Sequence, residues 1–241
     1  MRKLLLFLVS AIAAHAASFA YVQSASTISA NTLAFSSNNT AGNLIVAAVS
    51  GFNQGLASGV SDTNGNTYVQ YGANPSNTSP GRIQIWVAKG ISAGANTLTF
   101  TGMSSTNTNI IIAEYTMPSA YSYAVELLPN LAYTGALPFG FPVVVSGSPT
   151  MPTEVLLVVV AYDFSNFRSW TISNGTIRQS THEADGATLV LGDYDVVSPT
   201  GAVTTALTAT GGGSDSYTGG SIQPLLFGGG GSSNPHAFVF Q

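Results

Sequence analysis

Apolar and β-branched runs broken by turn residues dominate this chain and leave little room for anything but strands. Asn43-Leu44-Ile45-Val46-Ala47-Ala48-Val49 is a continuous apolar run, the pattern of a strand buried on both faces. Arg82-Ile83-Gln84-Ile85-Trp86-Val87-Ala88 reads as a further strand, and Thr97-Leu98-Thr99-Phe100-Thr101 alternates as a half-buried strand should. Phe19 to Ser24, Asn109 to Thr116, Glu154 to Tyr162, Ala187 to Val197, Ala202 to Thr210 and Ser221 to Phe227 are also β-prone. Pro224 moves the last of these toward a sheet edge, because proline has no N–H to give a ladder.

Turn residues punctuate the runs. Asn64-Gly65, between Val60-Ser61-Asp62 and Thr67-Tyr68-Val69, predicts a hairpin. Ser92 to Asn96 and Ser198-Pro199-Thr200-Gly201 separate other strand pairs. About ten strands with no helix alternating between them predict an all-β fold, an antiparallel β-sandwich of jelly-roll or Ig-like type. Met117 to Thr153 is the least regular part and reads as a long crossover with a short strand at Phe141 to Val145.

The N-terminus has the order of an export leader. Arg2 and Lys3 precede an apolar run from Leu4 to Ala14, and Ala14-His15-Ala16 is a small-x-small cleavage site. An N-terminal anchor or a buried first strand would use the same residues, but spanning a bilayer takes about 20 of them. Cleavage after Ala16 divides the chain into a signal peptide at 1–16, a sandwich domain at 17–227 and a tail at 228–241. The tail joins the glycine run Gly228 to Gly231 to a β-prone end, His236 to Gln241. With no cysteine, the secreted domain must be held by packing, ladders or ions, and this style of leader points to a bacterial, extracellular protein.

Charge removes whole classes of partner. Without Arg2 and Lys3, four basic residues face ten acidic ones, a balance of −6. So few cations cannot neutralise many phosphates, which argues against nucleic acid, and they cannot hold the chain to anionic lipid. No membrane span is expected after cleavage. Asn, Ser, Thr and Gly must carry the surface.

Several stretches resemble a loosely defined family of largely uncharacterised secreted bacterial β-sandwich proteins. They include Tyr21-Val22-Gln23-Ser24, Ala41 to Val46, Val60 to Tyr68, Trp86-Val87-Ala88-Lys89, Gly94 to Leu98, Ile112-Ala113-Glu114-Tyr115 and Leu189 to Asp193. The resemblance spans about residues 19 to 210. It implies the sandwich fold and a structural role for Glu114, and it brings no catalytic residues. The irregular middle and the glycine-rich tail depart from the pattern.

Candidate chemistry is sparse. Asp62-x-Asn64-Gly65-Asn66 imitates the start of a calcium loop, but Ala73 stands where the bidentate glutamate belongs, and a plain turn explains the same residues. A stronger metal candidate is the acidic cluster Glu183, Asp185, Asp193 and Asp195. Period-two geometry puts Asp193 and Asp195 on one face with Leu189 and Leu191. Two carboxylates on such a face need a cation, for which calcium fits oxygen ligands, or a solvated strand end beside Arg178. Glu114 ends an isoleucine strand and invites a partner such as Arg82 or Lys89.

No cysteine nucleophile, Gly-x-Ser-x-Gly elbow, zinc-spaced histidine pair or phosphate loop is present. Alternate strand carboxylates are spaced as a glycosidase pair can be, yet no acid has a visible apolar pocket to set it apart. A non-enzymatic role is therefore expected. Trp170, Tyr194 and Trp86 are the candidate platforms for stacking on sugar rings, although burial is the commoner fate of a strand tryptophan. The first expectation is an extracellular binding or adhesion module for a glycan or the cell envelope. A second is a structural subunit of a filament, coat or matrix, self-associating through a sheet edge or the tail. A polysaccharide-active enzyme comes third.

Overall fold

The structure, a computed structural model, describes residues 19–52, 56–71, 81–117, 123–127, 131–134, 143–147, 155–164, 169–182, 187–196, 203–210 and 219–229. The expected leader, the tail from 230 onward, Glu183 and Asp185 lie outside them. Among the described residues there is no helix, and every sheet is antiparallel. They form seventeen strands against the ten or so read from the sequence.

The first half of the chain contributes eight. They are β1 (Tyr21–Ile28), β2 (Thr32–Ala34), β3 (Leu44–Phe52), β4 (Gly59–Asp62), β5 (Val69–Tyr71), β6 (Gly81–Lys89), β7 (Thr97–Thr101) and β8 (Thr108–Tyr115). One sheet runs β1-β8-β3-β6-β5, and a small one runs β2-β7-β4. The second half contributes β9 (Tyr123–Leu127), β10 (Leu131–Thr134), β11 (Val143–Gly147), β12 (Val155–Phe164), β13 (Ser169–Ile172), β14 (Thr176–His182), β15 (Ala187–Val196), β16 (Val203–Thr210) and β17 (Gly219–Gly229). Its large sheet runs β10-β17-β12-β15-β14, with β9 also on β17, and its small sheet runs β11-β16-β13.

These two orders are the same order. If β9 and β10 together take the place of β1, every pairing of the first half recurs in the second: β3 answers to β12, β6 to β15, β8 to β17 and β7 to β16. The registers agree residue by residue. Leu44 lies opposite Lys89 and Tyr115, as Leu156 lies opposite Asp195 and Phe227. Among the described residues every ladder stays within its own half.

Side chains join the halves. Leu44, Val46, Ala48, Ile85, Ile111 and Tyr115 from one large sheet meet Leu156, Val158, Val160, Leu191, Leu225 and Phe227 from the other in one buried cluster. Here β6 touches β12 and β17, while β15 touches β3 and β8, which is the reciprocal pattern of a two-fold contact. The opposite face of the first large sheet (Ile45, Ala47, Trp86, Ile110, Ile112) packs on Leu98, Phe100 and Phe35. That double burial explains why the Leu44 to Val49 run has no polar position: all six residues are fully buried.

The Asn64-Gly65 hairpin is corrected. The turn forms, with Gly65 at φ 70° and its N–H donating to the Asp62 carbonyl at 3.3 Å. The strands beside it do not pair with each other, however, because β4 joins β7 in the small sheet and β5 joins β6 in the large one. It is a crossing between layers.

Candidate functional site

Three carboxylates anchor the described polar chemistry, and all three are engaged inside the protein. Glu114, fully buried on β8, accepts from Gln23 Nε2 at 2.7 Å, Asn39 Nδ2 at 2.6 Å, Asn43 Nδ2 at 2.7 Å and the Thr40 N–H at 2.8 Å. Neutral amides thus do the work that Arg82 or Lys89 was expected to do. They tie the loop before β3 to β8 and so close one end of the sheet. Four charge-assisted bonds are what a carboxylate needs to stay buried.

Asp62 is the second hub. Its carboxylate accepts the N–H groups of Asn64 and Asn66, the amides of Asn66 and Asn96, and the Tyr68 hydroxyl, at 2.7 to 3.1 Å. Burial raises its pKa, but the bonds from Asn96, Asn66 and Tyr68 outweigh burial and hold it below the ordinary aspartate value. Burial and the same carboxylate push the Tyr68 hydroxyl far up. The resemblance to a calcium loop ends here, since protein donors occupy the oxygens.

Asp193 is the third. It is buried on the inner face of β15, at the position equivalent to Val87 in the first half. Arg178 Nε donates to its Oδ2 at 2.7 Å. The guanidinium also lies 4.3 Å from the Tyr21 ring centre, and Tyr21 meets Tyr115 edge to face at 6.1 Å.

Two β-bulges build this cluster. One lies between Tyr21 and Gln23 on β1, the other between Ile177 and Gln179 on β14. Period two from Ala25, which packs on the outer cluster, would carry Tyr21 to the outer face as well; the bulge turns it inward. The second bulge lets consecutive Arg178 and Gln179 both reach β1, where Ser26 Oγ donates to Gln179 Oε1 at 3.3 Å. The Tyr115 hydroxyl is fully buried beside Asp193. Burial first, then the Asp193 charge, holds it well above the ordinary tyrosine range.

The other candidates scatter. Asp195 is exposed, so the face shared with Leu189 and Leu191 opens to solvent between Asp193 and Asp195. Glu183 and Asp185 are outside the described residues, among which no group of three or more His, Asp or Glu could hold a metal ion. Trp86 is buried at 8 % exposure in the outer cluster, with no partner for its Nε1 among the described residues. Tyr194 is half-buried on β15. Trp170 is half-buried on β13 between exposed Ser169 and Thr171, its Nε1 buried without a partner among the described residues.

Register gives Trp170 a structural reading too. It lies opposite Ala209 where the first half has Val60 opposite Phe100, so the large ring changes strand while the pair keeps its bulk. Sequence reasoning missed Gln23, Asn39 and Asn43 around Glu114, which come from 71 to 91 residues away. The only signal was a lone acid in an isoleucine strand, which announces donors without naming them.

Scans against family models, curated proteins and solved structures each found no match.

Proposed function

We propose that this chain is an exported, non-catalytic binding or adhesion module of the bacterial cell exterior, recognising a glycan or cell-envelope polymer. Its fold is proposed as two jelly-roll units fused face to face, since each half sets β1-β8-β3-β6 or its counterpart against a smaller sheet in the Greek-key manner. The observation that carries the function is where the charge goes. Glu114, Asp62 and the Arg178–Asp193 pair serve as internal fasteners, and the half-buried ring of Trp170 is a large aromatic left partly open to solvent on β13. A flat, partly open aromatic suits the apolar face of a sugar ring.

A glycan array on the mature protein, repeated with Trp170→Ala, tests this. Binding that the substitution abolishes supports the reading, and a blank array contradicts it. Calcium belongs to this reading only through Asp195 with Glu183 and Asp185, because Asp193 is held by Arg178. An unchanged melting midpoint in EDTA removes it.

A second reading is a self-assembling structural subunit. Val22 and Ile28 on β1 and Val69 on β5 are the exposed large hydrophobics among the described residues, and both strands are edges of the five-stranded sheet. Size-exclusion chromatography of the mature chain separates the two, since a monomer contradicts assembly, and a chain ending at Gly228 tells association through the tail from association through the edges.

A further inference from the structure

We propose that Asn174 is a site of spontaneous modification, converting from an amide to an aspartyl or isoaspartyl carboxylate. The chain holds two Asn-Gly pairs at equivalent crossings between a small and a large sheet: Asn64-Gly65 from β4 to β5, and Asn174-Gly175 from β13 to β14. Their surroundings differ. Asn64 is half-buried, its N–H donates to Asp62 Oδ1 at 3.1 Å, and its Nδ2 donates to the Gly94 carbonyl at 3.5 Å. The Gly65 N–H is itself bonded to the Asp62 carbonyl. Asn174 and Gly175 are both exposed, and among the described residues the Asn174 side chain has no hydrogen-bond partner.

The turn itself demands this labile pair. Asn174 sits at φ 57°, which asparagine tolerates better than most L residues. Gly175 has no substitute, because a Cβ there would lie 2.3 Å from the Asp193 carbonyl oxygen.

The reaction needs only water. The Gly175 nitrogen loses its proton and attacks Asn174 Cγ. The N–Cγ bond forms, the Cγ–Nδ2 bond breaks, and ammonia leaves with the proton. Water then opens the cyclic imide: at the main-chain carbonyl it leaves isoaspartate, at the side-chain carbonyl aspartate. Isoaspartate adds a backbone carbon just before Gly175, one residue ahead of Thr176, whose pairing with Asp193 begins β14. Gly175 has no slack against Asp193, so the insertion loosens the start of β14 and the Arg178 pair behind it.

The test is peptide mapping by mass spectrometry of the folded mature protein during incubation in mildly alkaline buffer. Asn174 is expected to convert about fivefold or more faster than Asn64, the factor that one extra hydrogen bond to break implies. In urea the two should converge. Asn174→Gly, which accepts the same φ, should remove the acidic species. Equal rates in the folded protein, no conversion at Asn174 while the urea sample converts, or an undiminished acidic species in N174G would each overturn the proposal.

Discussion

Arg178 Nε sits 2.7 Å from Asp193 Oδ2, and at this pair the two halves depart from their shared pattern. The equivalent of Asp193 is Val87, which packs in the central cluster without a charge. The second half has put a carboxylate in an apolar position and bent β14 to bring a guanidinium to it.

Removing the two partners should have unequal costs. The Asp193 side chain is 5 % exposed and Arg178 26 %. Arg178→Ala strands a buried carboxylate and should cost about 3 kcal/mol. Asp193→Val copies the first half and leaves an arginine that can turn to water, costing about 1 kcal/mol. Urea unfolding of both variants measures the difference. Equal costs would mean that the pair is solvated.

Glu114→Ala should be among the most damaging single changes in the first half. It orphans three amides and one backbone N–H in a buried loop, for a loss of about 4 kcal/mol. Urea unfolding measures the loss, and amide hydrogen exchange should locate it at residues 39–43 and β1.

Stability should fall at both ends of the pH scale. Asp62 has a depressed pKa in the folded protein, so its contribution is whole above the unfolded value of about 3.9 and is lost as pH drops through the folded one. Tyr68 and Tyr115 have raised values. Their contribution is whole below about pH 10 and is lost as the unfolded chain ionises above it. Tyrosinate absorbance should show these two rings ionising only with unfolding. Asp62→Asn should flatten the acid limb.

The central strands were legible because burial on both faces writes itself as an uninterrupted apolar run. Leu44 to Val49 and Ile110 to Ala113 need no tertiary information to be read. Strands such as β2 and β5, three residues each, are too short for a period to register. Asn64-Gly65 was read as a hairpin because turn chemistry is local, whereas the destination of the next strand depends on β6 and β7, read far along the chain. The duplication was hidden for a related reason. It lies in register and strand order, while the residues at matched places differ: Val87 against Asp193, Glu114 against Leu226, Asp62 against Ile172. Of the candidate site, Asp193 and its neighbour Arg178 were visible as a pair of charges near one another. The role of Tyr21 was not, because it depends on a bulge that no sequence pattern marks.

Trp170 is the point at which the functional account is most exposed to test. Titration of the mature protein with the best array glycan, followed calorimetrically, should give saturable binding that Trp170→Ala weakens about tenfold or more. The titration is made at a temperature where the variant's own melt shows it folded. Undiminished affinity in the variant would contradict the account, as would the absence of any glycan that binds.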